Sequence, residues 1–309
     1  MKAVICTAYG PPEVLQLADV PRPVPKRNQI RIRIVATSVS FSDTLVRGMR
    51  VPRRLQIPFR LFAGWNAPRK RILGMVLAGD VESVGSRVTR FKAGDQIFGM
   101  SVWAVGTYAE EVCWSADAVL APRPNNLSYE EAAALPYGGL LALHCLRKAN
   151  LQPGQRALIY GASGAIGTAA IQLAKYFGVH VTGVCSGANL ALVASLGADA
   201  VLDYTREDFT KTGERYDLIL DAVGRGKSAS AMRDAASALA PGGKCISIDD
   251  DLPKGTQANL ELLKQLAESG ALKPVIDRVY PLEEIAEAHR YADLGHKKGN
   301  LVVTIGARG

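Results

Sequence analysis

Residues Ile159 to Gly178 read IYGASGAIGTAAIQLAKYFG: an apolar run breaks into three glycines spaced three apart, and apolar residues resume at helical spacing. A strand over Arg156 to Tyr160 enters the turn. The helix behind it carries Ile166, Ala169, Ala170, Leu173, Ala174 and Phe177 on one face, the stripe of a helix packed on a sheet. The spacing Ala162-x-Gly164-x-x-Gly167 is the dinucleotide fingerprint with alanine at its first glycine. Gly164 lets backbone approach a pyrophosphate whose charge the helix N-terminus stabilises, and Gly167 lets helix and strand touch.

The flanking texture fits that turn. From Arg156 onward strands and helices alternate: RALIY, a helix to Phe177, VHVTGV, a helix over Asn189 to Leu196, AVLDY, YDLILDAVG, a helix over Ser228 to Leu239, then KCISID. Such alternation predicts a parallel sheet with helices on both faces. Residues 1 to about 125 instead hold short Val, Ile and Thr runs between glycines and prolines, with alternation in Gln29 to Val35, and read as β-rich. Ser128 with Glu131 forms a capping box ahead of an Ala/Leu-rich helix. A further helix from about Asn259 to Ser269 precedes a last strand in NLVVTI.

An NAD site normally ends its second strand with an acid that binds the adenine ribose and repels a 2′-phosphate. No acid occurs between His180 and Val193, so Ser186 and the amides after it are free to take a phosphate. This points to NADPH. No Lys or Arg lies in Ser186 to Ser195 either, so the preference over NADH is modest.

The formal charge of +8 is local: Arg47, Arg50, Arg53, Arg54, Arg60, Arg69, Lys70 and Arg71 fall between Asp43 and Asp80, where no acid occurs. Removing these eight from 37 basic residues leaves 29, against 29 acids. Leu55, Ile57, Phe59, Leu61, Phe62 and Trp65 are interleaved with them. The expectation is a solvated loop whose apolar residues pack on their own domain; the alternative is contact of residues 47–71 with a nucleic acid or a membrane surface. The five cysteines form no Cys-x-x-Cys pair or Cys/His cluster, so neither a disulfide framework nor a zinc knuckle is encoded. No apolar run reaches the roughly 20 residues of a membrane span, and the first residues lack a signal-peptide core; a cytoplasmic protein is expected.

Several stretches in order, among them MKAVICTAYGPPEVLQL, GDVESVGSRVTRFKAGDQIFG, GTYAEEV, LSYEEAAALP, LIYGASGAIGTAAIQLAKYFG, SLGADAVLDYTRED, ALAPGGKCISID and PLEEIAEAHRYADLGHKKGNLVV, resemble the medium-chain dehydrogenase/reductase superfamily, in its zinc-free quinone oxidoreductase branch. The resemblance covers nearly the whole chain. It implies a GroES-like β-barrel catalytic domain over 1–124, completed by 273–309, and a Rossmann dinucleotide-binding domain over 125–272, with the reaction site in the cleft between them. Where metal-dependent relatives hold catalytic zinc, this chain carries Ser40, Met75 and Tyr137, which supply no usual zinc ligand set. Without a Lewis acid, alcohol oxidation is poorly supported.

The implied reaction is hydride transfer from nicotinamide C4 to a quinone or an α,β-unsaturated carbonyl. Ser40, Ser42 and Tyr137 are the candidates to stabilise or protonate the product oxyanion. The resemblance places Ser163, Gly164, Ala165, Ile166 and Gly167 at the pyrophosphate, Ser186 and Tyr204 at the 2′-phosphate, Val223 and Gly224 near the adenosine, and Leu141, Ile248, Asp249 and Asn300 toward the nicotinamide. Relatives with lysine at the position of Ala188 gain a phosphate contact this chain lacks. Asp43 is expected to fix a local turn and His144 to be structural. The short DDLPKGTQA connection implies a monomer or a weak homodimer. Two alternatives stand beside this reading: a reductase of one specific enoyl or enone metabolite, and a weakly catalytic NADPH-binding protein whose basic segment binds RNA or a membrane surface.

Overall fold

A computed structural model describes residues 1–51, 53–101, 104–251 and 255–306, with the side chain of residue 53 excepted. Arg53 in the basic segment and Leu252 to Lys254 in the short connection therefore lie wholly or partly outside the described residues. The chain forms two compact units, Met1–Pro136 with Ile276–Gly309, and Tyr137–Val275.

The first unit opens with the antiparallel pair β1 (Lys2–Cys6) and β2 (Leu15–Asp19). The long strand β3 (Gln29–Val39) follows, with Ile30, Ile32 and Ile34 buried and Arg33 exposed. The expected alternation is present, and the strand runs on through Val39 because its last residues are buried on both faces. Helix α1 (Phe41–Gly48) and helix α2 (Arg53–Ala63) precede β4 (Val76–Val84), β5 (Gln96–Met100), β6 (Glu111–Ser115) and β7 (Val119–Pro122). The stretch expected as a loop is thus helical from Arg53 to Ala63, since one internal proline, Pro58, is its only strong breaker before Gly64.

The capping box is present: Ser128 Oγ accepts from Glu131 N at 3.2 Å, and Ser128 N donates to Glu131 Oε2 at 2.9 Å. Its helix is two helices, α3 (Tyr129–Ala134) and α4 (Pro136–Ala149). Pro136 has no N–H to return to the preceding turn, so one helix stops and another starts on it.

The second unit is a five-stranded sheet in the order β10-β9-β8-β11-β12, parallel throughout. Its elements in chain order are β8 (Arg156–Tyr160), α5 (Ala165–Tyr176), β9 (His180–Cys185), α6 (Leu190–Ser195), β10 (Ala200–Asp203), β11 (Tyr216–Asp221), α7 (Arg225–Ser228), β12 (Leu239–Ser247) and α8 (Gln257–Glu268). The helix expected over Ser228 to Leu239 is absent. α7 ends at Ser228, and a single 3-10 turn spans Ala235–Ala238. Ser228 Oγ donates to Asp221 Oδ2 and to Gly224 O, and Ser237 Oγ donates to Asp234 O; such local bonds compete with a helix.

The chain then returns to the first unit as β13 (Ile276–Pro281), α9 (Ile285–Leu294) and β14 (Asn300–Thr304). β14 pairs parallel with β13 and antiparallel with β3, in a seven-stranded sheet whose path is β13-β14-β3-β4-β5-β7, with β6 also on β3. Among the described residues no helix is long and apolar enough to cross a membrane.

Candidate functional site

In the second unit, the turn from β8 into α5 is shaped by its glycines. Gly161 has φ +82°, and a Cβ there would lie 2.4 Å from Val223 Cγ2, so the turn is packed against the end of β11. A Cβ on Gly167 would lie 2.2 Å from Gly161 O and 2.7 Å from Ala162 backbone carbons; only glycine lets α5 sit this close. Gly164 differs. Its φ is −79°, and an added Cβ would meet only Gly161 O, at 3.5 Å.

Open space therefore lies at the one glycine of this turn that the fold does not require. Gly164 is the N-cap of α5 and offers no side-chain cap. The first i to i−4 bond of the helix is Thr168 N to Gly164 O, which leaves the amides of Ala165, Ile166 and Gly167 ahead of it, at the positive end of the helix. A cradle open at Gly164 beside amides without intrahelical acceptors fits a pyrophosphate.

One residue unmarked in the sequence reading joins this turn to the next. Asn189, buried behind β9, donates through Nδ2 to Ser163 Oγ at 3.1 Å and to Ser186 Oγ at 3.2 Å. Its Oδ1 is buried with no partner among the described residues. Sequence offered one weak signal, the only side-chain amide in Ser186 to Ser195. An acid also reaches this turn, from the neighbouring strand: Asp203 accepts from Thr205 Oγ1 (2.7 Å), Thr205 N (3.0 Å) and the Gly187 amide, and these donors hold its carboxyl below the usual range. Gly187, whose amide is one of those counted on for a 2′-phosphate, thus has a carboxylate beside it. Tyr204 is exposed, its ring centroid 6.2 Å from that of Tyr160. Ala188 is exposed and apolar.

At the far side of the turn, buried Asp221 accepts from Val223 N (3.1 Å), Gly224 N (3.0 Å), Ser228 Oγ (2.6 Å) and Ser247 Oγ (2.9 Å). These four donors fix Val223 and Gly224. Ile248 N donates to Asp221 O at 3.1 Å, and Asp249 Oδ2 accepts from Arg225 N at 2.8 Å, so the Asp249 carboxylate is engaged at the start of α7. Helix α4 closes on the same region: a Cβ on Gly138 would lie 2.2 Å from Ala165 O. Tyr137 is buried and Leu141 half-buried on that helix. His144 pairs with Asp251 at 2.8 Å, and Lys148 pairs with the same carboxylate at 3.0 Å.

In the first unit, Ser40 is the N-cap of α1. Its Oγ donates to Asp43 Oδ2 at 2.5 Å and accepts from Asp43 N at 3.2 Å, and Ser40 N donates to Asp43 Oδ2 at 2.9 Å. Asp43 also accepts from Gly74 N at 3.1 Å and bonds the Tyr108 hydroxyl. Burial raises its pKa against these donors. Tyr108 OH meets His289 Nε2 at 3.1 Å, and burial pushes the His289 imidazole down to about 3. Ser42 is half-buried, Met75 and Asn300 are buried, and Asn300 stands in β14 opposite Ile276. Among the described residues no three His, Cys, Asp or Glu side chains come together as a metal site.

Comparison with known proteins gives three family matches: an alcohol dehydrogenase GroES-like domain over residues 26–125, and zinc-binding dehydrogenase models over 165–272 and 251–303. The chain is 33% identical to a 2-methylene-furan-3-one reductase of Solanum lycopersicum, with 98% of this chain and 79% of that protein aligned. It is 32% identical to a quinone oxidoreductase of Sus scrofa, over 97% of this chain and 95% of the other. The solved structure of a quinone oxidoreductase from Coxiella burnetii superposes with a TM-score of 0.85 at 28% identity, covering 99% of both chains.

Proposed function

We propose a reaction from the premise that the chain belongs to the medium-chain dehydrogenase/reductase superfamily, in its quinone oxidoreductase branch. The protein is an NADPH-dependent oxidoreductase that reduces quinones or α,β-unsaturated carbonyls. Relatives named as quinone oxidoreductase and as NADPH-dependent alkenal/one oxidoreductase support the class. The observation that carries it is the cradle at Gly164, open where the protein needs no space and lined by the leading amides of α5.

Bound NADPH supplies a hydride from nicotinamide C4, which a conjugated electron-poor acceptor takes at carbon or oxygen. The amides of Ala165, Ile166 and Gly167 would hold the pyrophosphate, and Val223 and Gly224 would border the adenosine. Ser186, with Ser163 held to it through Asn189, would hold the adenine ribose and its 2′-phosphate. With the Asp203 carboxylate beside Gly187 and alanine at position 188, preference for NADPH over NADH is modest.

No step needs zinc: a capping serine hydroxyl, a buried thioether and a buried tyrosine stand at the zinc-ligand positions, a donor set that does not bind that ion. Ser40 directs its proton at Asp43, so it positions α1, and Ser42 and Tyr137 are the side chains assigned to the product oxyanion. The domain boundaries expected from the sequence are retained in this proposal, as are a cytoplasmic site of action and a monomeric or weakly dimeric state.

The test is fluorescence titration with NADPH and with NADH, then a panel of benzoquinones, naphthoquinones and enones followed by loss of reduced-nicotinamide absorbance. Turnover of a quinone or enone with the tighter cofactor is expected. Binding of neither nucleotide by folded protein would refute the reading.

A further inference from the structure

The proposed reaction leaves the basic segment unused, and its folded form differs from a solvated loop. Leu55, Ile57, Leu61 and Phe62 on α2, and Trp65 just beyond it, are 48 to 71% exposed. At helical spacing the four on α2 fall on one side, whereas Gln56, Phe59, Arg60 and Ala63 are half-buried on the other. The helix turns its apolar stripe outward, the reverse of an ordinary surface helix. Five of the thirteen large apolar side chains exposed among the described residues lie in this stretch, so the patch is local and not the scattered apolar surface of any protein.

The segment is also held in place. Arg60 Nη1 donates to Trp65 O at 3.1 Å, Arg69 Nη2 donates to Leu61 O at 3.0 Å, and Tyr9 OH donates to Gly64 O at 2.9 Å. Arg47, fully buried, pairs with Asp293, and exposed Arg50 shares that one carboxylate. Arg54, Arg69, Lys70 and Arg71 of the same stretch are exposed, with no acid anywhere between Asp43 and Asp80.

An occupant must satisfy both features. A second copy would set the same cations against one another. RNA would use the cations and leave Leu55, Ile57 and Leu61 in water. An anionic bilayer surface takes the cations at its headgroups and the apolar stripe at the acyl boundary, the arrangement of an interfacial helix.

We propose that α2 and the turn through Arg71 dock the protein on anionic lipid surfaces. The proposal stands on this patch alone and is independent of the reaction. The full chain is sedimented with vesicles of phosphatidylglycerol mixed with phosphatidylcholine, and with pure phosphatidylcholine, while tryptophan emission is followed in parallel. Binding to the mixed vesicles alone is expected, with loss in high salt and a blue shift that W65F reduces.

R54Q/K70Q should weaken binding about 30-fold, at about fivefold per cation, and I57S/F62S about tenfold or more. Thermal melts of both variants check that these exposed substitutions leave the fold intact. The proposal is overturned if mixed vesicles fail to bind, if both variants bind as the parent does, or if I57S/F62S instead abolishes a dimer or an RNA complex in a protein indifferent to lipid.

Discussion

Two glycine-to-alanine substitutions three residues apart should part company, and the contrast tests what the turn is for. In G167A the new methyl falls 2.2 Å from Gly161 O and 2.7 Å from two Ala162 backbone carbons. None of these atoms can swing aside, so α5 must retreat by about 1 Å, at a cost of about 1–3 kcal/mol. At about 2–4 °C per kcal/mol for a chain of this size, Tm falls by roughly 2–12 °C. In G164A the methyl meets only Gly161 O at 3.5 Å, and the backbone φ of −79° suits alanine. The unfolded-state entropy gain of about 0.4–1 kcal/mol is offset by alanine's poorer N-cap character, about 0.5–1 kcal/mol, so Tm should move by less than about 2 °C. The same methyl occupies the cradle. Losing one or two amide-to-phosphate bonds at about 1.5–3 kcal/mol each weakens NADPH about 10- to 100-fold or more. Differential scanning fluorimetry and cofactor titration give both readouts. A G164A protein that binds NADPH as tightly as the parent refutes the placement of the pyrophosphate, and a G167A protein as stable as the parent refutes the packing argument.

Other outcomes follow from the same structure. A188K should raise the NADPH-to-NADH ratio of kcat/KM by about five- to tenfold, because an exposed ammonium beside Ser186 is the charge partner this turn lacks; an unchanged ratio would move the 2′-phosphate elsewhere. His289 is held near pKa 3 in the fold against 6.5 when free. A depressed pKa contributes stability that is present above pH 6.5 and lost as pH falls toward 3, up to about 5 kcal/mol, and H289Q should flatten that limb in urea titrations run across the range. R47M leaves Asp293 with only the half-exposed Arg50 and should cost about 2–4 kcal/mol in chemical denaturation. S42A and Y137F should lower kcat more than they change NADPH affinity if either hydroxyl serves the product oxyanion; unchanged turnover in both would leave that role to water.

The turn from β8 into α5 was legible because its determinants are local: one strand, three glycines and a helical stripe lie within about twenty residues and depend on backbone shape. What surrounds it was not, because it is assembled across the sheet. Asp203 reaches Gly187 only because β10 lies parallel beside β9 with Asp203 opposite Cys185, and no window around Ser186 contains that acid. Asn189 looked like an ordinary residue at a helix start until two turns converged on it. The alanine-rich stretch after Ser228 promised a helix by propensity, and buried Asp221 drew its first serine away. Around α2 the interleaved apolar residues were visible but neither the helix nor its direction was: which side of a helix meets water is decided by what packs on the other side. Ser40 shows the converse, since a small hydroxyl three residues before an acid encodes a cap as readily as a catalyst, and the geometry here is that of the cap.

The position of β14 between β13 and β3 has a consequence for biogenesis. When the ribosome has finished residue 275, the five-stranded parallel sheet has all its strands and can close, but β3, covered by β6 over Gln29–Arg33, still waits for β14 along Ala36–Val39. That bare stretch is sticky for as long as synthesis of the last segment takes. Truncation before Asn300 would make the wait permanent, giving a protein whose parallel sheet closes but which precipitates through its unfinished half.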